Sequence, residues 1–366
     1  MSTPALSEPA GVGIHQVLVA ASPGDAITNM ALGVRRLLRR VGPSEIYARH
    51  IAPALHEDVL PLETYGSHQP SGSVLIFHAS IGQAEVHEFL TSRPEPLVLV
   101  YHNVTPGWYF ERYDPVFADL LALGRREVER LRPRVVGAIA DSQYNARELE
   151  EMGYSDVRVV PPIVDLRHLS TVEPRASTMH HLASLDGPIL LSVGQLMPHK
   201  RPDFLVEMMH IAATYQEMDG YLMLVGHQRL ERYARAIREQ VQELNLSDVH
   251  VVGAVDEADL AAMFRSADAI VTASEHEGFC LPLLEAMTFE TPIVARACAA
   301  IPETVGAAAL LLPPDEGPVL FAEAVTELLS NEPLQRELVA GGRRRLAELE
   351  RCPPDAALVE ALLEVV

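Results

Sequence analysis

At 366 residues the chain is longer than one hydrophobic core usually supports, so two domains of roughly 150–180 residues are expected. Apolar residues make up 48% and charged residues 22%, a globular balance that sets aside disordered and repeat architectures. Fifty acidic against 29 basic side chains leave a net charge of −21, which repels a nucleic-acid backbone but leaves room for a small phosphate-bearing ligand held by a few cations and amides.

The opening stretch, MSTPALSEPAGVG, lacks the basic start and apolar core of a signal peptide. Apolar runs at 15–20, 45–51, 73–77, 97–102, 135–140 and 157–160 read as strands, with amphipathic stretches at 28–40, 116–131 and 143–152 between them. That order implies βαβ units and a parallel sheet covered on both faces. The rhythm stops near Pro161 and Pro162, and 167–186 reads as a polar linker containing Pro174. It then restarts, with strands at 188–193, 221–225, 249–252, 269–272, 292–295 and 308–312. Helices are expected at 202–218, 230–244, 257–265, 281–288 and 319–329. Two doubly wound α/β domains are therefore expected, at 1–166 and 187–351, with a helical piece at about 352–366 that could cross back onto the first. No apolar run approaches the roughly 20 residues that span a bilayer. The three cysteines, Cys280, Cys298 and Cys352, have no metal or redox spacing, which suits a reducing cytoplasm.

The most informative segment is EHEGFCLPLLEAM, residues 275–287, which follows the strand expected at 269–272. Pro282 sits where a helix would begin, so the amides of Gly278, Phe279, Cys280 and Leu281 lie free near a positive helix end, a setting for an anion. Glu277 falls in the loop and Glu285 in the expected first turn of the helix. A carboxylate there either favours the helix dipole or accepts two hydrogen bonds from vicinal hydroxyls such as those of ribose. Residues 192–203, SVGQLMPHKRPD, place Lys200 and Arg201 at another helix start, as solvated charges or as an anion grip.

Two glutamates separated by seven residues within EGFxLPxLEAM resemble the donor-site signature of the family 4 glycosyltransferases. The resemblance implies the GT-B fold, two Rossmann-like doubly wound domains facing across a cleft. It also implies retention of anomeric configuration without a metal. By the same resemblance Glu277 faces the donor sugar and Glu285 the ribose, while Lys200 grips the diphosphate and stabilises its departing charge. Gln195, after Gly194, stands where the family has an arginine, and Arg201 is the nearby candidate to replace that charge. LMLVGH at 222–227 ends in Gly226, and 249–271 has the family's FxGxVxxxxLxxxYxxAD shape, which assigns Gly253 and Val255 to the base. Residues 297–306 carry Ala299 and Ala300 where the family often has two glycines before IPE.

In the first half, LVLVYHNVTPGWYF at 97–110 puts His102 at a strand end. It reads as a structural histidine or, by resemblance, as a group near the donor hexose, with Asn103 and Thr105 lining the same pocket. The turn SPGDAITN at 22–29 offers Gly24, Asp25, Thr28 and Asn29 either as a helix cap or as an acceptor-side surface. Ser142 reads as a cap. The helix GVRRLLRRVG at 33–42 is a solvated face or a contact to an anionic membrane surface or lipid-linked acceptor. GxGxxG, GxxxxGK[ST], GxSxG and HExxH are all absent, which sets aside the dinucleotide, P-loop, serine-hydrolase and zinc-protease readings.

The expectation is a retaining, metal-independent hexosyltransferase with His102, Glu277 and Lys200 as catalytic residues. It would use a UDP- or GDP-sugar and a hydroxyl acceptor (a glycan, lipid-linked sugar or small metabolite), with no cofactor. It would be cytoplasmic or peripheral at the inner membrane face, as a monomer or homodimer. The rivals are a sugar-nucleotide epimerase or a glycogen- or trehalose-type synthase on the same fold, and a nucleotide-sugar-binding protein without turnover, the last favoured by Gln195.

Overall fold

The computed structural model describes residues 12–66, 72–216, 218–351 and 353–363. The first eleven of the thirteen residues behind the signal-peptide reading, and Cys352, lie outside that set. The chain divides into two compact units. The first comprises residues 1–108, 115–164 and 352–366; the second comprises Tyr109–Asp114 and Asp165–Arg351.

In unit 1, seven parallel strands form one sheet: β1 (Ile14–Ala21), β2 (Ile46–Ile51), β3 (Leu60–Pro61), β4 (Val74–Ala79), β5 (Leu97–Tyr101), β6 (Val135–Ala140) and β7 (Arg158–Val159). Their order is β3-β2-β1-β4-β5-β6-β7, so the chain reverses its direction of travel between β1 and β4. Every residue of β4 and β5 is buried, as a sheet covered on both faces requires. Helices α1 (Ala26–Leu38), α2 (Ala84–Ser92), α3 (Pro115–Leu131) and α4 (Gln143–Glu151) link the strands. On one face Met30, Val34 and Leu38 of α1 pack on Ile76, Val98, Val100 and Ile139, together with Leu358, Ala361 and Leu362 of the helix Pro354–Leu363. Two of the four arginines at 33–42 are engaged, Arg35 with Asp58 and Arg39 with Glu45.

Unit 2 begins with two short helices, α5 (His168–Thr171) and α6 (Ala176–Leu182), in the stretch expected as a linker. They are too brief to show a helical period, but Leu169 and Leu182 enter the core and Arg175 pairs with Asp256 and Asp259. Six parallel strands follow: β8 (Ile189–Val193), β9 (Tyr221–Val225), β10 (Val249–Gly253), β11 (Ala269–Thr272), β12 (Ile293–Arg296) and β13 (Ala309–Leu312). They alternate with α7 (Pro202–Tyr215), α8 (Glu231–Glu243), α9 (Glu257–Ser266), α10 (Leu281–Thr288) and α11 (Ile301–Val305), and end in α12 (Pro318–Ser330) and α13 (Glu332–Arg351). The order β10-β9-β8-β11-β12-β13 places the reversal between β8 and β11. Helix α13 was not among the expected elements. Its Gly341 and Gly342 are close contacts: a Cβ on Gly341 would stand 2.1 Å from the Ala307 oxygen. Phe110, from the hexapeptide Tyr109–Asp114, is 1% exposed and packs on His199, while Tyr113 meets Tyr233 at 4.9 Å between ring centroids.

Candidate functional site

In unit 2, β8, β9 and β10 lead into or end on Gly194, Gly226 and Gly253, all at positive φ. Gly194 N donates to the Val225 oxygen at 2.8 Å and Gly226 N to the Gly253 oxygen at 2.9 Å. A Cβ on Gly226 would stand 2.0 Å from the Gly194 oxygen, so only glycine lets these backbones close up. Gln195 follows, half-buried, while the Val255 side chain packs against the core.

The loops after β8 and β11 leave the sheet at its reversal, where open parallel sheets bind ligands. The first ends in the turn Pro198–Lys200, with Arg201 left-handed at φ 52° before α7. From it Lys200 Nζ donates to Glu277 Oε1 of the second loop at 2.7 Å. Ser274 Oγ donates to the same oxygen at 2.8 Å and shares a hydrogen bond with Thr272. Burial works against the Lys200 charge, yet the Glu277 carboxylate outweighs it and raises the Lys200 pKa. Burial first, and Glu277 next, push the Cys280 thiol well up.

Arg201 is held by Asp203 and Glu275, and Asp203 also accepts from Tyr233 Oη at 2.9 Å. The neighbouring cations thus answer to different carboxylates. Arg201 is not delivered to the Lys200–Glu277 pair, because its left-handed backbone turns it towards α7. His199 is buried against Phe110; burial, then the charges of Lys200 and His276, hold its pKa well below the ordinary value.

Helix α10 starts at Leu281, after Cys280 in the left-handed conformation at φ 73°. Glu285 is therefore the fifth helical residue and lies in the second turn, not the first as expected. Among the described residues the amides of Gly278, Phe279, Cys280 and Leu281 make no backbone hydrogen bond. The Phe279 and Cys280 side chains enter the core. Glu285 is half-buried, and no hydrogen bond to its carboxyl is made among the described residues. Burial, and to a lesser degree Glu257, raise its pKa from 4.5 to about 7.

In unit 1, side chains within or just after four adjacent strands form a ladder across the sheet. His102 follows β5, and its side chain is 4% exposed with both ring nitrogens engaged. Its Nδ1 lies 2.8 Å from Asp141 Oδ2 and its Nε2 2.7 Å from His78 Nδ1. His78 Nε2 meets Gln16 Oε1 at 2.9 Å, and Gln16 Nε2 donates to the Ala31 oxygen at 3.0 Å. Four adjacent strands each contribute one side chain. Gln16, His78 and Asp141 were not among the expected site residues; the signal available was a polar residue inside or at the end of an otherwise apolar run.

Asn103, at φ 75°, donates to Asn145 and Glu148, which ties it to α4. Thr105 is half-buried. In the 22–29 turn Asp25 caps α1 through Thr28 N and Oγ1, Gly24 is left-handed over open space and Asn29 is exposed. Ser142 caps α4. Among the described residues no cluster of three or more His, Cys, Asp or Glu is arranged to hold a metal, and no helix is long and apolar enough to cross a membrane.

Residues 178–345 match the family model of the glycosyl transferases group 1. The match covers most of unit 2, including Lys200, Glu277 and Glu285. Among similar curated proteins is a D-inositol 3-phosphate glycosyltransferase from Kineococcus radiotolerans, 30% identical over 62% of this chain and 55% of its own length. The chain therefore spans little more than half of that relative. A sucrose-phosphate synthase from Thermosynechococcus elongatus has the same fold, with a TM-score of 0.73 at 19% identity over 97% of this chain and 99% of that one. So does Anabaena HepE in complex with UDP-glucose, at 0.73 and 16% identity over 96% and 99% of the two chains. The two parallel-sheet Rossmann-like units thus match the GT-B fold of these glycosyltransferase structures.

Proposed function

We propose that the chain transfers a hexosyl group from a nucleoside diphosphate sugar to a hydroxyl acceptor, with retention of configuration and without a metal. The observation that carries this reading is the Lys200–Glu277 pair at the sheet reversal, beside four amides at the start of α10 and a half-buried Glu285 with no hydrogen bond to its carboxyl. An ammonium has three N–H donors, so Lys200 can keep Glu277 and still hold a diphosphate. Charge on that leaving group grows in the transition state, where a fixed cation and amides lower the barrier. With Oε1 tied to Lys200 and Ser274, Glu277 offers Oε2 to a sugar hydroxyl, and Glu285 accepts from the ribose diol. The likeness to a fold seen with UDP-glucose supports a UDP-sugar, and the inositol-phosphate relative supports a polyhydroxylated acceptor.

Gln195, in place of the resembled family's arginine, favours a second reading, a protein that binds the donor without turning it over. One experiment separates the two: release of nucleoside diphosphate from a panel of UDP-, GDP-, ADP- and dTDP-sugars, with and without polyol acceptors, beside a thermal-shift screen. Turnover of one donor that is lost in Lys200→Met supports transfer. Binding of a donor with no release under any condition rejects it.

A further inference from the structure

The ladder in unit 1 has one self-consistent arrangement of protons. The Ala31 carbonyl can only accept, so the Gln16 amide nitrogen faces it and Gln16 Oε1 faces His78. That oxygen also only accepts, so His78 Nε2 carries a proton. His78 is 1% exposed; burial, then the neighbouring His102, hold its pKa well below the ordinary value, so it is neutral and Nδ1 is an acceptor. The two imidazole planes agree within 2° with centroids 5.0 Å apart, and nitrogens only 2.7 Å apart require the rings to lie edge to edge, as an in-plane N–H···N bond does. His102 Nε2 must then be the donor. On its other side Nδ1 and Asp141 Oδ2, 2.8 Å apart, also need a proton between them. The His102–Asp141 pair therefore holds two protons, where a neutral imidazole beside a carboxylate holds one.

Losing the extra proton strands a lone pair. If His102 kept only Nδ1–H, its Nε2 would oppose His78 Nδ1. Switching the His78 tautomer moves the conflict to Gln16 Oε1, and turning the Gln16 amide moves it to the Ala31 carbonyl, which belongs to the α1 backbone. The surroundings offer no relief. From the elements packed on the ladder, β1 contributes Gln16, β4 His78 and α1 the Ala31 carbonyl, while the helix Pro354–Leu363 packs apolar side chains on the same face. Asp141 is the anion hydrogen-bonded to the ladder, and its Oδ1 is buried without a hydrogen-bond partner among the described residues.

We propose that Gln16 and His78 are positioning residues that lock an extra proton onto the His102–Asp141 pair, so that His102 stands at the end of β5 as a proton-bearing group and never as a base. Its bearing on sugar transfer rests on the glycosyltransferase reading; the proton lock itself does not.

The test is ring-nitrogen NMR of the full chain labelled with 15N-histidine, titrated between about pH 6 and 9, across and beyond the interval in which histidine ordinarily changes charge. The expected spectrum shows His102 Nε2 and His78 Nε2 protonated and His78 Nδ1 bare throughout. Gln16→Met removes the acceptor that fixes the His78 tautomer, so in that variant part of the population should carry the proton on His78 Nδ1 and show a bare His102 Nε2. His78→Phe should likewise show a bare His102 Nε2. A bare His102 Nε2 in the parent chain overturns the proposal, as do ring-nitrogen signals of His78 and His102 that are unchanged in a folded variant. A chain that keeps this spectrum but turns over no donor refutes the transferase reading and leaves the lock standing.

Discussion

Replacing Glu285 with glutamine separates two consequences of one half-buried carboxyl. An unfolded chain ionises this glutamate near 4.5, whereas the folded chain keeps its proton up to about 7. Between those values the folded state binds more protons, so stability falls as pH rises through the interval. At about 1.4 kcal/mol for each tenfold change in proton affinity, the ionised carboxyl costs at most about 3 kcal/mol above pH 7. Glu285→Gln keeps the volume and removes the charge. Parent and variant should melt together near pH 5. Above about pH 8 the variant should be the more stable, by up to roughly 10 °C for a unit of this size. Donor binding pulls the other way, because ribose hydroxyls favour the ionised carboxylate. The thermal shift given by the preferred nucleoside diphosphate sugar should therefore largely disappear in the variant. In the parent chain at pH 7 donor binding should release a fraction of a proton, measurable by calorimetry in two buffers. A stability gap that stays constant from pH 5 to 8 refutes the buried-carboxyl argument, and an undiminished ligand shift removes Glu285 from the ribose.

Gln195→Arg adds a cation next to Gly194 and should tighten UDP binding about tenfold by calorimetry, the worth of one charge-assisted hydrogen bond; an unchanged Kd takes position 195 away from the diphosphate. Gly226→Ala drives a methyl group into the Gly194 carbonyl oxygen, and urea unfolding should report a loss of more than about 2 kcal/mol. A change below about 0.5 kcal/mol would mean that the β8 and β9 ends part easily.

The alternation of apolar runs and amphipathic stretches carried the architecture, because strands covered on both faces, such as β4 and β5, are apolar at every position. What escaped that pattern has physical reasons. Helices α5 and α6 are too short to repeat a period, and α13 carries two glycines, set against Ala307 and Met287, although glycine is a poor helix former. In the candidate site, the residue types and spacing around Glu277 were visible in one segment, but pairings that cross the chain were not. That Arg201 goes to Glu275 and Asp203 depends on a left-handed backbone that its own sequence does not announce. The ladder is hidden for the same reason: Gln16, His78, His102 and Asp141 are spread over more than a hundred residues and meet only when four strands align.

The hexapeptide Tyr109–Asp114 has a consequence for how the chain is made. It is synthesised before the rest of unit 2, so Phe110 must wait, solvent-exposed, until the β8 loop with His199 has left the ribosome. Unit 1 waits longer still, because Leu358, Ala361 and Leu362 complete its core from residues that emerge after all of unit 2. Neither half can therefore finish folding in the usual order, first domain first. A chimera that exchanges the halves near residue 165 would strip one of its phenylalanine and the other of its closing helix. The halves of such chains would recombine well only if the hexapeptide and the last helix travelled with the cores they complete.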